Sequence, residues 1–167
     1  MTRKEGTRLG IEHEFMSRTH FTPREVEFLQ HLVDGTGSYV DIGLAMQVTP
    51  KTVDSHATNV RTVLQNRQEE YPNLRRAVAI AVTEDLIDCT KVPKLNPSSI
   101  KPKEALVFAL MLTGYPITEI AEKLHTNNRA VENQVAKILH KTFAKNGYQA
   151  IASAVVFLRE RDNGTTI

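Results

Sequence analysis

A single cysteine in 167 residues excludes an internal disulfide, and the amino-terminal MTRKEGTRLGIEHEF lacks the apolar run of a secretory signal. Both absences point to a cytoplasmic protein. Long apolar runs are missing too: VAIAV and SAVVFL are bounded by charges and fall far short of the roughly 20 residues a membrane span needs. No membrane association is expected. There is no glycine-rich phosphate loop. Cys89 has no evident base beside it, and Asp54 and His56, two apart, do not face each other on a helix. Glu12, His13, Glu14 and His20 gather carboxylates and imidazoles, but without the paired-His spacing of a zinc protease. The chain therefore reads as a non-enzyme, with no catalytic residue, metal or cofactor.

What is present is enough apolar residue, 41%, for one medium core or two small ones. The net charge of +2 conceals a gradient. Residues 21 to 90 carry 6 Lys/Arg against 10 Asp/Glu, whereas residues 91 to 167 carry 11 against 6. Clustered cations release counterions from a phosphate backbone, so the second half has the stronger electrostatic claim on nucleic acid.

From residue 21 the apolar spacing is helical, with Phe28, Leu29, Leu32 and Val33 in one stripe and Val53, Ala57, Val60 and Leu64 in another. No strand alternation competes, and the expected class is all-α. Thr22, Pro23 and Glu25 form a capping-box start for a helix over 23–34; a short helix follows over 39–47. Thr49 caps the next helix, and Pro72 is expected to open a fourth that ends near 87. The stretch CTKVPKLNPSS reads as a linker, after which the pattern returns: Pro102, Glu104 and Gly114 stand 79 residues after Pro23, Glu25 and Gly35, while Ile120 and Val131 stand 78 after Ile42 and Val53. The division is a flexible arm over 1–20, a first unit over 21–88, a linker over 89–99, a second unit over 100–161 and a tail over 162–167.

A short helix, a tight turn and a longer polar-faced helix make a helix-turn-helix, whose second helix enters the DNA major groove. The segments FTPREVEFL, GTGSYVDIG and TPKTVDSH in the first unit, and IKPKEALVF, GYPITEIAEKL and NNRAVENQV in the second, resemble the LuxR-type, or GerE-like, DNA-binding domain. The resemblance covers roughly residues 21 to 160. It implies two tandem four-helix helix-turn-helix units joined by a short linker, expected in a bacterial or mobile-element regulator of transcription without a sensory domain that binds double-stranded DNA at the nucleoid. Departures occur at Asp54 and Glu132, where the family often has lysine, at Lys101 in place of a capping threonine, and at Ala130 in place of a threonine.

The residue spacing gives the reading face independently. With Val53, Ala57, Val60 and Leu64 turned inward, Lys51, Asp54, Ser55 and Thr58 face outward; in the second unit Val131, Val135 and Ile138 leave Arg129, Glu132, Asn133, Ala136 and Lys137 exposed. Arg suits guanine, Asn suits adenine, a carboxylate suits the cytosine amino group, and alanine can touch a thymine methyl. Thr52, Arg61, His140 and Lys141 flank these faces as phosphate contacts. The fourth helices are richer in apolar residues than one buried stripe requires. Ile80, Val82, Val155, Phe157 and Leu158 either complete two small cores or pair the fourth helices, within one chain or between chains, and in the resembling family this helix often dimerises. A homodimer or a partner transcription factor is the corresponding protein partner. The alternative function is a protein-interaction module, such as an antiactivator, that keeps the fold without binding DNA.

Overall fold

A computed structural model describes residues 18–164. Within them the chain is all-α, with eight α-helices and no strand. The first four are α1 (Pro23–Asp34), α2 (Tyr39–Met46), α3 (Pro50–Asn66) and α4 (Leu74–Thr83); after a single 3-10 turn over Pro97–Ser99 come α5 (Pro102–Leu112), α6 (Ile117–Lys123), α7 (Asn128–Thr142) and α8 (Gly147–Asp162).

Local chemistry sets these boundaries. The Thr22 hydroxyl accepts from the Glu25 N–H while the Glu25 carboxylate accepts from the Thr22 N–H, satisfying two donors that the first turn leaves without helical partners. Ser38 and Asp41 do the same for α2, and Ser38 holds the Asp41 carboxyl below its usual range. At α5, Lys101 offers no capping oxygen, so Glu104 alone answers by accepting from the Lys101 N–H at 2.8 Å. The fourth helix corrects the sequence expectation at both ends. Asn73, not the residue before it, is the cap: its side chain accepts from the Arg76 N–H, which leaves Pro72 outside the helix. At the other end Asp85 adopts a left-handed φ of 57° and the Leu86 N–H bonds back to Ala81, stopping the helix short of 87.

Two apolar clusters form the interior. The first is built from α1, α2, α3 and α4, with Phe28, Leu29, Ile42, Val53, Ala57, Val60 and Leu64 all fully buried; it also takes in Ile151, Ala152 and Val155 from α8. The second joins Val107, Phe108, Met111, Ile120, Val131 and Ile138 from α5, α6 and α7 to Ala150 and Ala154 of α8. One side of α8 thus closes its own set of helices and the other side closes the first set. A helix apolar around its whole circumference is stable only when covered on all sides, and α8 is buried continuously over residues 149–155. The same holds for α4 over residues 77–82, which packs against α8.

Residues 89–99 do not hang free between the two sets. Cys89 and Val92 pack on the first cluster, Leu95 packs on the second, and the Ser153 hydroxyl of α8 donates to the Pro93 carbonyl. Further back, Gln30 and Asp88 exchange two hydrogen bonds, the Asp88 N–H to Gln30 at 2.8 Å and the Gln30 amide to the Asp88 carbonyl at 3.0 Å. This segment is a strap laid on α8.

Candidate nucleic-acid interface

The polar faces of α3 and α7 owe their exposure to the burial of the opposite stripes. Val53, Ala57 and Val60 recur at three- and four-residue spacing and lie at the centre of the first cluster, so Lys51, Asp54, Ser55, Thr58 and Arg61 emerge on the solvent side. All five are exposed and Thr52 is half-buried. On α7, Val131 and Ile138 are buried, and Arg129, Glu132, Asn133, Ala136, Lys137 and His140 are exposed.

Each face is aimed by the turn before it. Three residues, Gln47 to Thr49, join α2 to α3, and Gln47 takes a left-handed φ of 57°; at the position 78 residues on, His125 does so with φ 51° between α6 and α7. The turn of the first set lies so close to α2 that a Cβ on Gly43 would sit 2.8 Å from the Val48 carbonyl oxygen. Thr49 then caps α3 by accepting from the Thr52 N–H, and Asn127 caps α7 by accepting from the Ala130 N–H.

The hydroxyls on α3 are partly committed. Ser55 donates to the Lys51 carbonyl at 3.0 Å and Thr58 to the Asp54 carbonyl at 3.1 Å, so in this state both present lone pairs outward. Such acceptors match the amino groups of adenine or cytosine better than guanine O6. Thr52 shares a hydrogen bond with Thr49 at 2.9 Å. Arg61 interacts with Tyr39, whose phenol is pushed up by burial first and drawn back by this guanidinium.

Lys141, expected from the sequence as a phosphate contact, already has a partner within the protein. Its ammonium donates to both carboxylate oxygens of the buried Glu104, at 2.9 and 2.7 Å, and holds that carboxyl below its usual range. The ammonium is thus paired within the protein, while about 25% of the side chain stays exposed. Two lysines that sequence reasoning passed over stand beside it instead: Lys101 and Lys103 are exposed and, with Lys137 and Lys141, line an open groove of about 740 Å³ between α5 and α7. The signal was present as K-P-K at a helix start. At the corresponding positions of the first set stand Thr22, Arg24, Asn59 and Val63, and Arg24 is paired with Glu27 at 2.7 Å. The basic groove belongs to the second set alone.

The five apolar residues assigned to pairing divide. Ile80, Val82 and Val155 are buried where α4 and α8 meet, so the fourth helices pair within one chain. Phe157 turns aside into an apolar groove with Leu95, Ile100 and Phe108, and Leu158 is 36% exposed. Among the described residues no group of three or more His, Cys, Asp or Glu is placed to hold a metal, and no helix is long and apolar enough to cross a membrane. Glu12, His13 and Glu14 lie outside the described residues; His20 shares a hydrogen bond with Thr19. Burial pushes the Cys89 thiol up, away from the reactive thiolate.

No protein-family model matches the chain, and neither a curated protein nor a solved structure matches it.

Proposed function

We propose that each set of four helices is a LuxR-like helix-turn-helix unit and that the protein is a sequence-specific, double-stranded-DNA-binding regulator of transcription. It would act in the bacterial cytoplasm at the nucleoid, without catalysis. The observation that carries this reading is the repeated polar face: Lys51, Asp54, Ser55 and Thr58 on α3, and Arg129, Glu132, Asn133 and Lys137 on α7, each exposed on a helix that follows a short helix and a tight turn. Direct base contacts come from these residues except Lys137, which with Lys101 and Lys103 adds phosphate contacts at the second unit. The test is selection from a random duplex pool at near-physiological salt. An enriched motif that Arg129→Ala weakens by about 1–3 kcal/mol supports base readout. Failure to enrich any sequence removes the reading.

A second reading rests on a different surface. Val40 and Leu44, one turn apart on α2, are 55% and 75% exposed, where the second set has Thr118 and Glu122. An apolar pair on the more acidic half suits a protein-interaction module that occupies a partner regulator. Pull-down by the wild type and its loss in Val40→Ser/Leu44→Ser, with no DNA selection, would favour it.

A further inference from the structure

We infer that one chain takes the place of a dimer on DNA: α3 and α7 form a fixed, approximately dyad-related pair, and the chain reads an operator made of two non-identical half-sites. This rests on the DNA-binding reading above.

The interface between the two sets has the reciprocity of an isologous dimer, in which a patch on one partner meets its counterpart's complement twice over. Helix α8, the fourth of the second set, packs on α1, the first of the first set; α4 packs on α5 in the same sense, and α4 and α8 pack on each other. The polar contacts repeat the pattern. Asn146, the cap of α8, donates its amide to the Leu32 carbonyl in the last turn of α1, and Asn73, the cap of α4, donates to the Gly114 carbonyl just past the end of α5. Gly35 and Gly114 take φ of 70° and 93°, and a Cβ on either would press on residues flanking the opposite cap: Lys145 for the first, Tyr71 and Arg76 for the second. Four hydrogen bonds from residues 145–149 and 159 of the second set to first-set carbonyls fix the arrangement: Lys145 to Asp34, Asn146 to Leu32, Gln149 to Val33 and Arg159 to Val82.

Identical subunits about such a dyad read a palindrome. Here the two reading faces differ: lysine, aspartate and hydroxyls on α3, arginine, glutamate, asparagine and alanine on α7. The half-sites must then differ in base sequence. The lysine groove adds a second asymmetry, because only the second unit has two exposed lysines at the start of its first helix to hold a phosphate. A broken palindrome has a direction, so a single chain bound to it is oriented on the DNA.

The test uses the full chain and the motif enriched from random duplexes, rebuilt as four operators: the parent, each half-site doubled into a palindrome, and the parent with about five base pairs, half a helical turn, inserted between half-sites. Expected are one chain per parent duplex by native mass, and affinity lowered by about tenfold or more for both palindromes, since each mismatched pair costs about that much. The insertion should abolish specific binding, because the packed units cannot rotate apart. Lys51→Ala/Ser55→Ala should relax selection in one half of the motif only, and Arg129→Ala/Asn133→Ala in the other. Two chains on a palindrome, full affinity for one half-site, or indifference to the insertion would overturn the inference while leaving DNA binding in place. Absence of any enriched motif would overturn both.

Discussion

The side chain of Asn73 links two helical sets: its oxygen accepts from the Arg76 N–H to start α4, and its amide donates to the Gly114 carbonyl in the turn that follows α5. Capping and docking therefore reside in one residue and can be separated by chemistry. Asn73→Ala loses both and should cost about 1–2 kcal/mol from the cap and about 1 kcal/mol from the inter-unit bond. Asn73→Asp keeps the capping acceptor but turns a carboxylate oxygen toward the Gly114 carbonyl, so it should recover the cap only in part. Urea denaturation of the three proteins measures this, and equal losses in both variants would show that the link to Gly114 dominates.

Because Ile151 of α8 is fully buried in the first cluster, the two sets should unfold together. Ile151→Ala should destabilise the chain by about 2–5 kcal/mol. The informative readout is hydrogen exchange in α1 and α3, which should accelerate along with that in α7. Leu158→Ala, at an exposed position, should change little. Faster exchange confined to α7 and α8 in the Ile151 variant would mean that the sets are energetically independent.

Gly43 shows how closely a turn can govern the helix that follows it. The Val48 carbonyl oxygen lies where a Cβ would go, 2.8 Å away, and it is backbone that would have to yield. Gly43→Ala should cost about 1–3 kcal/mol as overpacking and tilt the start of α3. Ala121, at the corresponding place in α6, shows that the same position accepts a methyl where the following turn has four residues in place of three. A variant as stable as the parent by chemical denaturation would show that the turn moves freely.

How much of this was legible in the sequence follows from the range of each interaction. Thr22, Thr49 and Asn127 cap helices through partners three residues away, so the starts of α1, α3 and α7 could be read directly. The stripe of Val53, Ala57 and Val60 fixed the exposed face of α3 for the same reason. Pro72 misled because it precedes the true cap by one residue, and no periodicity distinguishes Pro72 from Asn73 as the entry. Lys141 was out of reach: its partner Glu104 lies 37 residues earlier, on another helix. The surplus of apolar residues in α4 and α8 announced a second covered side, but not that Phe157 would leave it for a groove beneath the strap.

The Glu104 carboxylate gives the second set a pH dependence whose sign is fixed by its shift. Its folded-state pKa is lowered, first by the hydrogen bond from Lys141 and then by the Lys101 N–H. The ionised form is thus favoured in the native state. The stabilisation is complete above the ordinary carboxyl value of 4.5 and is lost as pH falls below it through the folded-state value. Glu104→Gln should flatten the fall in stability below about pH 4.5 and lower it at neutral pH, where Lys141 loses its partner. Melting curves from pH 3 to 7 test this, and an unchanged acid slope would assign acid sensitivity to other carboxylates.

Lys137 and Lys141 stand one helical turn apart on α7, yet their charges have different destinations. Lys137 is exposed at the lysine groove with no carboxylate partner among the ion pairs of the described residues, whereas Lys141 is bound to Glu104 at 2.7 Å. A free cation that meets a phosphate releases a counterion, and each such contact adds about 0.9 to the slope of log affinity against log salt concentration. Lys137→Ala should therefore reduce the slope by about that amount and leave the melting temperature nearly unchanged. Lys141→Ala should do the reverse, lowering the melting temperature by stranding a buried carboxylate while the slope stays the same. Measuring both variants on one duplex across a salt series separates the roles. A slope change in Lys141→Ala would mean that DNA draws this lysine away from Glu104, making the ion pair a competitor for phosphate and coupling DNA binding to the stability of the second set.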